Sequence, residues 1–172
     1  MKRRNLICLI LILFLLMGEN EGEAETDSIY IQISFSEKKL VVFQEGKLIK
    51  EFPIAVPKGN YYSLPLKGRV VKIIENPWWY PTPNIQKEYF KKKKIFLPHA
   101  IPPGDPRNAM GKVKFLLYFE NFSRPIRIHG TNDPNSIGRK VTHGCIRLRN
   151  EDALELKDLL KEHLPVSVEI IF

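Results

Sequence analysis

The sequence predicts one mostly-β domain with a single helix near its C-terminal end. Three observations predict it. Apolar and polar residues alternate with a period of two in several short segments, turn residues separate those segments, and only one late segment spaces its apolar residues for a helix. At 172 residues the chain has single-domain length and room for a modest core. It carries no internal repeat, low-complexity tract or second domain.

Residues 1–24 stand apart from that core. Lys2, Arg3 and Arg4 precede an unbroken apolar run over residues 6–17, and Gly22 and Ala24 supply small residues at a cleavage position. The run is short for a membrane span. A secretory signal cleaved after Ala24 is the expectation, with an uncleaved N-terminal anchor as the alternative and the only route to a membrane. Cys8 lies too early in the run for a lipoprotein signal. The domain is then residues 25–172, exported to a periplasm or cell wall.

Its first strand takes Ile29, Ile31, Ile33 and Phe35 to one face. A turn over residues 36–39 leads to strands over 40–44 and 48–56, joined at Glu45, Gly46 and Lys47. Further strands are expected over 69–74 and 113–119. Between them, residues 76–111 read as a long irregular loop, rich in proline and carrying Trp78, Trp79 and Tyr80. Such a loop in a small domain is ordered for a purpose, as a substrate wall or as cover for a satellite apolar cluster. Lys91 to Lys94 read as a solvated part of it. Residues 125–129 form a short strand with Ile126 and Ile128 on one face and Arg127 and His129 on the other, so His129 emerges at its end, away from the core. Asn150 is placed as a helix N-cap, with Glu151 and Asp152 in the first turn and Ala153, Leu156 and Leu160 as the apolar stripe through about His163. Pro165 ends that helix, and residues 166–172 close the chain as a strand.

The net charge is +8, and residues 1–24 carry three basic and three acidic side chains, so their removal leaves it unchanged. An exported basic domain suits a polyanionic wall polymer, an acidic peptide or anionic lipid. Nucleic acid does not suit that compartment. The domain keeps a single cysteine, Cys145, which excludes an internal disulfide and gives a lone thiol a functional explanation.

Cys145 sits in the most informative stretch, residues 129–150. Thiol acyl transfer needs a nucleophile, a base within reach and backbone N–H groups aimed at an oxyanion. His129 and His143 are both candidate bases. His143 stands two residues before the thiol, so an extended backbone leans both side chains to one side. His129 is sixteen residues away, across a connection that Pro134, Asn135 and Gly138 allow to fold back. Gly144 and Cys145 offer N–H groups for the oxyanion, since glycine lets a carbonyl approach closely. Arg147 stands beside the opening and suits a substrate carboxylate; Arg149 belongs to the surface.

These residues resemble the L,D-transpeptidase catalytic domain, the YkuD-type family, close to its Gram-negative periplasmic members. The family's signature of a histidine, a gap of about fifteen residues and Ser/Thr-His-Gly-Cys is matched by His129 and Thr142-His143-Gly144-Cys145, with Arg147 following; Thr142 stands where serine is commoner. The opening hairpin and the segment 76–111 look like the family's corresponding parts. The resemblance implies a β-sandwich or barrel capped by one helix. It implies that Cys145 attacks the L-centre carbonyl of diaminopimelate in a peptidoglycan tetrapeptide stem, releases D-Ala, and passes the acyl group to an amine of another stem or of a wall-linked lipoprotein. It further implies His129 as general base, oriented by the Gly130 carbonyl, an oxyanion site shaped by His143 and Gly144, and Arg147 and Thr142 as substrate-binding residues.

Three rivals remain on the residues alone. Water in place of the amine gives an L,D-carboxypeptidase or related thiol hydrolase. A non-catalytic wall-binding module is a second. The third, a zinc site from His129, His143, Cys145 and His99, matches no trusted ligand spacing, so no metal or cofactor is expected.

Overall fold

The computed structural model describes residues 29–59, 63–120, 122 and 126–172. The expected signal or anchor at 1–24, Cys8 and Pro125 lie outside the described residues. Among the described residues the chain forms ten strands and two α-helices. β1 (Ile29–Ser34), β2 (Lys39–Gln44) and β3 (Lys47–Pro53) form an antiparallel meander. β4 (Val56–Pro57), β5 (Leu66–Glu75), α1 (Pro83–Lys93) and β6 (Val113–Tyr118) follow. The second half holds β7 (Arg127–His129), β8 (Lys140–Thr142), β9 (Ile146–Arg147), α2 (Asn150–Leu160) and β10 (Val166–Ile171).

Eight strands make one curled sheet in the order β3-β2-β1-β10-β5-β6-β7-β9, and β4 pairs with β8 beside it. Its two edges are brought together by the chain itself. Just past β3, Ala55 and Arg147 exchange backbone hydrogen bonds of 2.9 and 3.0 Å, so the end of the meander is tied to β9 at the far edge. Curling lets one apolar face enclose the core. Ile31, Ile33, Leu40, Phe115, Ile128, Ile146 and Ile170 are fully buried in a single cluster, which α2 closes with Ala153, Leu156 and Leu160. The alternation expected for β1, β2 and β6 is present.

The irregular segment expected over 76–111 contains a helix that the sequence reading missed. The prolines taken as loop punctuation start it: Thr82 Oγ1 accepts the Ile85 N–H at 3.4 Å, and Pro83 stands at the first helical position, where its missing N–H costs nothing. Lys91, Lys92 and Lys93 fill its last turn, where cations complement the carbonyl end, so the expected loop lysines are solvated but helical. No residue of α1 is buried; Ile85 and Tyr89 only lean on a second cluster of Trp79, Leu97 and Ile101. Trp78 and Tyr80 remain exposed. The strand expected to run to Val56 breaks at Pro53: the Ile54 N–H still donates to Lys38 beside β2, but those of Ala55 and Val56 turn away to the carbonyls of Arg147 and Arg139. The helix at 150 ends at Leu160, short of His163.

Candidate active site

β7 and β9 are only three and two residues long, yet their pairing builds the site. They run parallel with Ile128 beside Ile146 and His129 beside Arg147. Side chains level with each other in a parallel pair share a face, and alternate residues share the opposite one. Ile126, Ile128, Ile146 and Leu148 therefore enter the core, all at most 1% exposed. Arg127, His129, Cys145 and Arg147 are left together on the other face, and all four line a cavity of about 740 Å³. Trp79, Glu88, Tyr89, Met110, Asp133 and His143 contribute to its walls.

His129 ends β7 on the face away from the core, as expected, yet it is only 1% exposed. The strand alternation was read correctly. The face opposite the core is itself covered by α1 and the loops around it, which a two-residue period cannot reveal. Its Nδ1 donates to the Gly130 carbonyl at 2.6 Å, leaving Nε2 as the lone-pair nitrogen. Burial drives the imidazole pKa down to about 4, against the Gly130 bond, and Arg147, Arg127 and Lys114 push the same way. Burial raises the Cys145 thiol above its ordinary value, opposed by Arg127 and Arg147. Both groups are thus neutral at pH 7: a thiol and an unprotonated imidazole.

The thiol loop is held by a buried hydroxyl. Thr142 Oγ1 donates to the Cys145 carbonyl at 2.5 Å and accepts the Gly144 N–H at 3.4 Å. Gly144 between them has φ +119°, a conformation that an L side chain rarely adopts. This turn breaks the extended backbone expected to lean His143 and Cys145 to one side. His143 instead reaches α1, where its Nε2 lies 3.0 Å from Glu88 Oε1, a contact spanning 55 residues of sequence. That bond is the first cause holding the Glu88 carboxyl below its usual range. Arg147 is largely buried, with its Nε enclosed and no hydrogen-bond partner among the described residues. Asp133, within electrostatic range, partly offsets the cost of that burial. Arg149 is exposed, as expected.

Asn150 was expected as the N-cap of α2. It is the first residue of the helix instead, and Arg149 occupies the cap position without a side-chain bond. The Asn150 amide faces the site. Its Oδ1 accepts the N–H groups of Lys112 and Thr131 at 3.0 and 3.2 Å, and its Nδ2 donates to the Thr131 carbonyl at 2.9 Å. The loop after His129 is thereby clamped to β6 and to α2. Gly130 completes the clamp by donating its N–H to Val113 at 2.9 Å. A Cβ on Gly111 or Gly130 would fall 2.2 or 2.3 Å from Asn150 Oδ1, so both positions must be glycine for the amide to sit there. The sequence signal was present in those two glycines, but nothing local distinguishes an asparagine that caps its own helix from one that bonds elsewhere.

Two outcomes follow. Alkylation of Cys145 by iodoacetamide is expected to accelerate about tenfold per pH unit from pH 6 to 8.5, because only the small thiolate fraction reacts and it grows as pH approaches a raised pKa. A rate independent of pH across that range would show a preformed thiolate–imidazolium pair instead. Replacing Asn150 by Ala removes three hydrogen bonds and is expected to cost about 2 kcal/mol of unfolding free energy in urea titration. Asn150→Asp, which keeps the acceptor oxygen, is expected to lose less.

Comparison with known proteins agrees with this geometry. The family model of the L,D-transpeptidase catalytic domain, YkuD, matches residues 28–168. The probable L,D-transpeptidase ErfK/SrfK of Salmonella typhimurium is 43% identical over 142 residues, covering 81% of this chain and 42% of that protein. Its Escherichia coli counterpart is 34% identical over the same shares. The chain thus spans less than half the length of these curated relatives. Among solved structures, an Enterococcus faecium L,D-transpeptidase superimposes with a TM-score of 0.58 at 15% identity, over 84% of this chain and 50% of that one. The LD transpeptidase LdtMt1, solved in complex with imipenem, does so at 0.54 and 14% identity, over 84% and 59%. These structures share the curled mostly-β fold, and the matched residues 28–168 carry the site between β7 and β9 within them: the chain belongs to the YkuD family of L,D-transpeptidase catalytic domains.

Proposed function

We propose that this chain is a peptidoglycan L,D-transpeptidase whose nucleophile is Cys145 and whose general base is His129. The observation that carries the reading is the sharing of one cavity-lining face by a cysteine and a histidine whose only lone-pair nitrogen is Nε2. In the first half-reaction, His129 Nε2 takes the Sγ proton as Sγ bonds to the L-centre carbonyl of diaminopimelate. The backbone N–H of Cys145 donates to the oxyanion, in a turn that His143, Gly144 and Thr142 shape. The C–N bond to D-Ala then breaks, and the proton on Nε2 passes to the departing amine. In the second, an acceptor amine attacks the thioester, gives a proton to His129, and the C–S bond breaks to restore the thiol.

Because the resting pair is neutral, substrate must arrive before the proton moves. Neutral imidazole is the competent base, and its low pKa keeps it so down to about pH 4. Gly130 fixes its tautomer through the carbonyl, and Arg147 holds a carboxylate of the stem. The acceptor is the amine of a second stem, giving a 3-3 cross-link, or of a wall-linked lipoprotein. The site acts after export, in a periplasm or cell wall.

The direct test is mass analysis of the products after incubation with disaccharide-tetrapeptides. Cross-linked dimers and free D-Ala are expected from the wild type and are abolished in Cys145→Ala. Monomeric tripeptide alone, with acceptor present, would make the chain a hydrolase, and activity surviving in Cys145→Ala would remove the nucleophile. Imipenem is expected to acylate the thiol, opening its lactam with the whole drug retained. Intact-mass spectra should then show one adduct in the wild type and none in Cys145→Ala.

A further inference from the structure

The cavity-side face of β6, β7 and β9 holds more positive charge than the fold can use. Lys114 stands beside His129, Leu116 beside Arg127, and Arg147 beside His129 on the other flank. Lys114, Arg127 and Arg147 therefore surround the imidazole, and the two arginines also act on the thiol. The carboxylates lining the cavity are engaged elsewhere: Glu88 pairs with His143 and lies 3.8 Å from Lys58, while Asp133 faces Arg147. Arg107, another cation of the wall, is forked onto Asp105 at 2.6 Å. Arg127 differs from all of these. Among the described residues no carboxylate or carbonyl accepts from its guanidinium, and its charge disfavours the protonated forms of Lys114 and His129 and favours the Cys145 thiolate.

Repulsion of that kind weakens a fold, so a half-buried arginine held there without an acid has its counter-charge supplied from outside. Its place says which charge. Arg127 and Cys145 each immediately precede the paired Ile128 and Ile146, both line the cavity, and the guanidinium is near enough to act electrostatically on the thiol. One extended residue spans about 3.5 Å. A carboxylate one residue beyond the acyl carbon that bonds to Sγ thus falls within reach of a guanidinium standing beside the thiol.

We infer that Arg127 reads the free terminal carboxylate of the residue expelled from the acyl donor, restricting the enzyme to stems that end one residue past the attacked carbonyl. The inference rests on the proposed transpeptidase reaction and assigns a specificity residue within it. Arg147, deeper and faced by Asp133, holds a carboxylate of the retained acyl portion and contributes to all donors alike. A planar fork over a carboxylate adds about 10- to 100-fold in rate for the charged donor.

The test compares two donors under one acceptor: a tetrapeptide stem ending in D-Ala and the same stem ending in D-Ala carboxamide, each followed by mass spectrometry for kcat/KM. Wild type is expected to prefer the carboxylate 10- to 100-fold. In Arg127→Gln that ratio falls to near one, and in Arg127→Lys, which keeps charge without the fork, it falls part of the way. Arg147→Gln lowers both rates and keeps the ratio. Thermal melting of Arg127→Gln is expected to match or exceed the wild type, since a repelling cation is lost. A wild-type ratio kept in Arg127→Gln, or lost in Arg147→Gln alone, overturns the assignment while leaving the transpeptidase reading intact. A wild type inert on both donors overturns that reading and this inference together.

Discussion

The parallel contact between β7 and β9 is the constraint on which the rest depends. Two pairs of residues define it, and its register decides everything about the site. With Ile128 level with Ile146, the apolar partners go inward and Arg127, His129, Cys145 and Arg147 go to the cavity. A slip of one residue would send the thiol into the core and an isoleucine into the cavity. So short a ladder cannot hold its own register, and three neighbours hold it: Val113 of β6 through the Gly130 N–H, Ala55 through its bridge to Arg147, and Asn150 through the backbone at Thr131. The closure of the curled sheet and the geometry of the site are one set of bonds.

Electrostatics then sets the resting state. The same burial that lowers the imidazole raises the thiol, so neither charge is present before a ligand arrives. Arg127 and Arg147 bias the thiol toward ionisation, yet not enough to offset desolvation. On the proposed mechanism this arrangement protects the thiol from indiscriminate oxidation, which requires the thiolate. It also ties activation to the arrival of a substrate that brings its own negative charge to an overly positive face.

Helix α1 and the Glu88–His143 bond show how the front of the cavity is made. α1 buries nothing of its own and rests on a small cluster around Trp79. Its link to the thiol loop is an exposed pair, of the kind that contributes little to stability. The back of the cavity is rigid sheet; its front is a lightly attached helix.

Alternation, turn residues and one helical stripe made the strands, the meander and α2 legible in the sequence, because each depends on neighbours within a few residues. The cluster of Thr142, His143, Gly144 and Cys145, with His129 at its distance, was legible as thiol chemistry because reactive residue types are few and their spacing is narrow. α1 was hidden by prolines that serve equally as breakers and as helix starts. The burial of His129 was hidden because a strand's period says which residues share a face and not what covers it. Asn150 was assigned to its own helix, since an asparagine's local and distant partners look the same from the chain. Arg127 could be placed on the face of His129 but given no role, because an arginine gains meaning only from the charges around it. The sequence alone determined which chemistry this domain could carry. The tertiary structure decided where protons rest and which side chains meet, because register, desolvation and charge repulsion exist only between segments that the fold has brought together.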